Sequence, residues 1–175
     1  LAKGDWKGTL GVYSTEEGDT RDLTDSLGDD QFIYASSTFG LEGGDLIVDF
    51  IYNTDADEPT NDYGNKWASS VAYRTEVGNW DLALNAVVGE AQSNNAERDG
   101  LFYGFVAQPS TFIIEDKLEV VGRYYFQGSE GDEGVRANSR YSRGELGGGR
   151  GDKHHSVYAG LNYYLCGHNA KIMTG

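Results

Sequence analysis

Apolar and polar residues alternate with a period of two along nearly the whole chain, and helical periodicity is almost absent, which predicts strands rather than helices. "DWKGTLGVY" puts Trp6, Leu10 and Val12 on one face and Lys7, Thr9 and Tyr13 on the other. "DLIVDFIY" (45–52) sets Leu46, Val48, Phe50 and Tyr52 against Asp45, Asp49 and two isoleucines. The same opposition recurs in "WASSVAYRTEV" (67–77), "WDLALNAVV" (80–88), "KLEVVGRYYFQ" (117–127) and "HSVYAGLNYYL" (155–165). "QFIYASSTFGL" (31–41) mixes apolar and hydroxyl residues, "GLFYGFVAQ" (100–108) is aromatic on both faces, and "NAKIMTG" opens a ninth strand.

The connections alternate in length. Long polar stretches at about 14–30, 53–66, 89–99 and 128–153 are separated by the brief "EGG", "GN" and "CGHN", whose Gly and Asn residues supply the positive φ of tight hairpins. "PSTFIIED" reads as a moderate link, or as hiding a further strand in "STFIIE". Long loops on one side and short turns on the other are the signature of an antiparallel up-and-down transmembrane β-barrel. Strand length agrees, since about 9–11 tilted residues cross a bilayer. Aromatics stand near strand ends at Trp6, Tyr52, Trp67, Trp80, Phe126, Tyr163 and Tyr164, where interfacial girdles are expected. A soluble β-sandwich or lipocalin-like barrel explains the alternation equally well, but not the loop lengths or the aromatic ends.

Composition narrows the partners. The 175 residues suit a single domain, and 28 acidic against 14 basic residues give a net charge of −14, which argues against a nucleic-acid partner. The lone Cys166 excludes an internal disulfide and reads as a small apolar residue. No apolar run approaches the roughly 20 residues of a membrane helix, a fact without bearing on strands that cross with every second residue apolar. No basic-then-apolar leader stands at Leu1, so a signal peptide is expected to be removed or to lie outside this chain.

Three stretches carry a more specific signal: "LEVVGRYYF", the long acidic loop after it, and "HHSVYAGLNYYLCGHNAKIMTG". Together they resemble the carboxy-terminal part of the phosphate-selective porins O and P family, which tends to carry "NYY" (here 162–164), a turn "xGHN" (167–169 for its last three) and a strand opening "AK" (170–171). Cys166 departs from the usual polar turn residue, and the match covers roughly the last third of the chain. The resemblance implies a sixteen-stranded barrel in a bacterial outer membrane, generally a homotrimer, passing small hydrophilic solutes or ions by diffusion. Nine strands are odd, whereas single-chain bacterial barrels close with even numbers, and bare edges in lipid leave backbone groups unsatisfied. The chain therefore reads as a fragment, with strands missing before Leu1 and after Gly175. The absence of a terminal aromatic points the same way.

A porin makes no bonds and needs no cofactor; its selectivity comes from pore width and charged rings. The pore-lining candidates by strand parity are Lys7, Asp49, Arg74, Glu76, Asp81, Asn85, Glu119, Arg123, Asn162 and Lys171. Wall arginines are expected to pair with wall carboxylates and set a field across the pore. No stacked basic ladder for phosphate is evident. Much of the acid lies in loops (Asp19, Asp22, Asp25, Asp29, Asp30, Asp55, Asp57, Glu58, Asp62, Glu130, Asp132, Glu133) and reads as solvated surface. Divalent-cation binding is the sharper alternative, but "DADEPTNDYGN" lacks EF-hand spacing. Adjacent His155 and Ser156 point to opposite faces of a strand, and His154 and Ser156 share a face but stand at the end of a long loop, so no catalysis is expected. "GGGRG" (147–151) reads as a flexible loop and His168 as a turn residue. The competing functions are a soluble all-β carbohydrate- or ligand-binding module and a non-conducting structural or adhesive barrel.

Overall fold

A computed structural model of the chain describes residues 6–14, 31–54, 64–93, 95–136, 149–165 and 170–175. These are all strand and turn, and no helix occurs among them. Nine strands form one antiparallel sheet: β1 (Trp6–Ser14), β2 (Gln31–Leu41), β3 (Gly44–Asn53), β4 (Gly64–Val77), β5 (Trp80–Gln92), β6 (Gly100–Ile114), β7 (Leu118–Ser129), β10 (Lys153–Tyr164) and β11 (Lys171–Thr174). Their spatial order is their chain order, so the sheet is an up-and-down meander. A separate ribbon, β8 (Val135–Arg136) with β9 (Arg150–Gly151), lies within the β7–β10 connection. The stretch "GGGRG", expected to be flexible loop, thus ends in a paired strand. Among the described residues β1 and β11 do not pair, and the sheet is open rather than closed into a barrel.

Turn chemistry sets the ends of the strands. The β2–β3 turn holds Gly43 at φ 97° and the β4–β5 turn holds Gly78 at φ 64°, the left-handed region that costs a residue with a Cβ. The β6–β7 connection corrects the expectation for 109–116. The β6 strand runs through Pro109 to Ile114, and the turn is only 115–117. Asp116 takes φ 56° there, doing without glycine what Gly78 does elsewhere, because Asp tolerates this region better than most residues. Pro109 is tolerated because the β6–β7 ladder has no pairing at Gln108 and Pro109, while both still pair with β5 through Ala83 and Leu82. With this turn in place, short connections alternate with long ones without exception among the described strands.

The register assigns every side chain to one of two faces. One face carries rows such as Trp6–Phe39–Leu46–Tyr73–Leu84–Ala107–Tyr124–Val157, each residue opposite the next on the neighbouring strand. Among its cross-strand-paired residues it bears only two charges, Glu90 and Lys153, both at the long-loop end, where Lys66 at the unpaired β4 bulge reaches Glu90. The Glu90 carboxylate accepts from the Trp67 indole N–H at 2.9 Å and meets Lys66 Nζ at 3.7 Å. No described residue covers this face: Leu10 is 77% exposed and Val157 80%, and Phe50, Val71, Val88, Phe105 and Leu161 are exposed as well. Among the described residues, the buried hydrophobic ones are only Val121, Val135 and Tyr164. A second layer of the kind a sandwich provides is absent among the described residues.

The β4–β5 turn offers a direct check. Nothing lies within 4 Å of a Cβ built on Gly78, so only its backbone conformation resists substitution. Gly78→Val is expected to destabilise the fold by about 1–2 kcal/mol, and Gly78→Asn by clearly less. Urea unfolding midpoints followed by tryptophan fluorescence measure both.

Candidate functional site

All ten residues picked as wall candidates fall on the second, polar face. Cross-strand pairing sets Lys7 opposite Thr38, Asp49 between Ser36 and Ser70, Arg74 between Asp45 and Ala83, and Glu76 opposite Asp81. It sets Asn85 between Ala72 and Val106, Glu119 opposite Asn162, Arg123 opposite Tyr158, and Lys171 opposite Tyr164. The period of two does this: once one residue of each strand is placed, every second one follows it to the same side.

Four of them line one hollow of about 860 Å³ at the short-turn end, where Arg74, Glu76, Asp81 and Glu119 are joined by Asp45, Gln108 and Ser110. The other six lie outside it. Its charge is unbalanced, with four carboxylates against one guanidinium. Glu76 stands directly across from Asp81, a like-charge pairing that is destabilising unless water screens it. The expected pairing of wall arginines with wall carboxylates is not what the geometry gives. Arg74 makes no ion pair among the described residues. Arg123 donates its Nε–H to Gln108 Oε1 at 2.8 Å and lies 5.7 Å from the centre of the Tyr158 ring.

The remaining carboxylates are held by neutral donors. Asp49 accepts from the Tyr34 hydroxyl and from Ser70 Oγ, each at 3.2 Å. Glu119 Oε2 accepts from Asn162 Nδ2 at 2.8 Å and from the Tyr164 hydroxyl at 2.6 Å, and Lys171 Nζ sits 5.7 Å from the Tyr164 ring centre. Tyr164 therefore leaves the aromatic girdle to which its place at a strand end assigned it. It is buried on the polar face, and its neighbour Tyr163 takes the exposed, apolar side.

A second hollow, of about 480 Å³, lies at the long-loop end and escaped the sequence. Arg98, Arg136 and Arg150 line it together with Asn85, Tyr125 and Gln127 from the polar face. Two connections meet over it. The Arg98 Nε and Nη2 donate to Glu133 Oε2, both at 3.2 Å, Arg150 Nη1 donates to the Glu133 carbonyl at 3.0 Å, and the Glu133 N–H donates to the Glu97 carbonyl at 2.7 Å. Val135, 7% exposed, anchors the ribbon. In the sequence these arginines sit in acidic loops that read as solvated surface; a base recurring in each loop was the available signal.

Of the other sequence candidates, His154 and Ser156 do share the polar face, and the His154 ring packs 5.3 Å from Tyr125. His155 is on the opposite side, its Nδ1 2.9 Å from the Tyr124 hydroxyl. Cys166, His168 and the acidic residues Asp19, Asp22, Asp25, Asp29, Asp30, Asp55, Asp57, Glu58 and Asp62 lie outside the described residues. No family model, curated protein or solved structure matches the chain.

The Glu119 cluster generates a stability prediction. Removing the Tyr164 hydroxyl takes away one of two bonds to a carboxylate, each worth about 1.5–3 kcal/mol. Tyr164→Phe is expected to lower the unfolding free energy by an amount in that range, with Tyr163→Phe near neutral, both read from urea titrations.

Proposed function

We propose that this sheet is part of the wall of an outer-membrane porin, a water-filled channel for passive diffusion of small hydrophilic solutes or ions. One observation carries the reading: among the described residues the apolar face has no protein cover, while every charged residue paired across the nine-stranded sheet, other than Glu90 and Lys153, is on the opposite face. An apolar surface this wide on a single sheet needs lipid or another protein against it. The opposite face needs water, because Arg74, Glu76 and Asp81 have no ion-pair partners among the described residues. A soluble binding module would need a second layer over the apolar rows.

The finer assignment follows from the same constraint. Closing the sheet in a bilayer takes further strands beside β1 and β11, since unpaired strand edges do not persist in hydrocarbon. The resemblance to the phosphate-selective porins O and P supplies the rest of the proposal: sixteen strands, a homotrimer and a bacterial outer membrane. It suggests phosphate or other anions as solutes. The alternation of long and short connections and the aromatics at strand ends, Trp6, Tyr52, Trp80 and Tyr163, all exposed, support the same reading.

Spin labels at Leu84 and Asn85 test it. In lipid vesicles the first is expected to be accessible to oxygen and the second to a water-soluble nickel reagent; identical accessibility would defeat the proposal. A charge on either side gives the energetic counterpart. Val71→Arg is expected to cost about 2–4 kcal/mol of folding into bilayers, against little for Ala72→Arg. Recovery of the folded protein in aqueous buffer without detergent would favour the soluble binding module.

A further inference from the structure

We propose that the hollow at the long-loop end binds an acidic sugar, a hexuronate or a short uronate chain. The inference rests on the porin reading only in taking this face as wetted. Its first support is charge. In a chain with twice as many acidic as basic residues, three arginines and no carboxylate line this hollow among the described residues. The hollow at the other end of the same face has the opposite balance, so the two ends of the wall are chemically distinct.

The second support is what accompanies the arginines. Inorganic phosphate is satisfied by cationic and N–H donors alone. Here Phe102 and Tyr125 add aromatic surface, and Asn85 and Gln127 add amides that both donate and accept. Gln92 Oε1, in the same lining, is buried without a hydrogen-bond partner. Aromatic surface with a few convergent polar groups is the composition of an organic-ligand site, and about 480 Å³ lies in the range for a small organic ligand. A uronate ring offers an apolar C–H face, hydroxyls for the amides, and a carboxylate that the flat guanidinium fork binds at two points.

The third support is preorganisation. Glu133 holds Arg98 through its carboxylate and Arg150 through its carbonyl, fixing both guanidinium groups before a ligand arrives. Arg136, on the ribbon, is exposed and makes no ion pair among the described residues. It is the arginine whose loss disturbs the fold least.

Isothermal titration of the full chain, folded in detergent micelles, with galacturonate, galactose and inorganic phosphate tests the site. Galacturonate is expected to bind at least ten-fold more tightly than galactose or phosphate. Arg136→Gln is expected to weaken galacturonate about ten-fold and leave galactose unchanged; Tyr125→Leu is expected to weaken both sugars and leave phosphate unchanged. Equal affinity for the two sugars, phosphate binding as tight as galacturonate, or indifference to both substitutions would overturn the proposal. Liposome swelling, run on the same preparation, keeps the two readings apart. Swelling without galacturonate binding overturns the site alone, and binding without swelling overturns the channel alone.

Discussion

The fold turns on a sheet whose apolar side has nothing against it among the described residues. A β-sheet with one hydrophobic face must bury that face, and soluble folds do so with a second sheet or a layer of helices. Here nine strands carry continuous rows of Leu, Val, Phe, Tyr and Trp, and the only other sheet among the described residues is a two-residue-per-strand ribbon in the β7–β10 connection. Among the described residues few side chains are buried, and neighbouring strands are joined mainly by backbone pairing.

The polar side carries most of the charge of the sheet. Its carboxylates are of two kinds. Asp49 and Glu119 are held by hydroxyls and an amide, which fixes their positions without cancelling their charge. Glu76 and Asp81 face each other with no such partner and depend on water. Arg123 is likewise held by an amide and an aromatic ring instead of a carboxylate, and keeps its full charge. Neutral anchoring leaves these groups charged, and the two hollows of this face differ in lining, four carboxylates and one arginine at the short-turn end against three arginines at the long-loop end.

The loops contribute shape as well as charge. Glu133 gathers Arg98 from the β5–β6 connection and Arg150 from the β7–β10 connection, and the ribbon brings Arg136 and Val135 over the wall. An acidic loop residue thus serves mainly to position cations. This inverts the simplest reading of the loops as uniformly negative surface, and it places the two connections in one structural unit at the entrance to the polar face.

Period-two alternation by itself determined which residues share a face. Lys7, Asp49, Arg74, Glu76, Asp81, Asn85, Glu119, Arg123, Asn162 and Lys171 were legible as one set because parity within a strand is fixed by the pleat, and tight turns carry parity from strand to strand. Where the turn lacked glycine, at Asp116, the sequence hid the end of β6 behind Pro109 and a polar stretch. Tyr164 and Tyr163 show the limit of position along a strand: both stand at its end, and only parity with Glu119 separates the buried one from the exposed one. Tertiary structure alone decided the distances. It turned expected ion pairs into amide and aromatic contacts, and it brought Arg98, Arg136 and Arg150 together. Loop backbones obey no period, so which of their residues meet is set by how two connections pack on the wall.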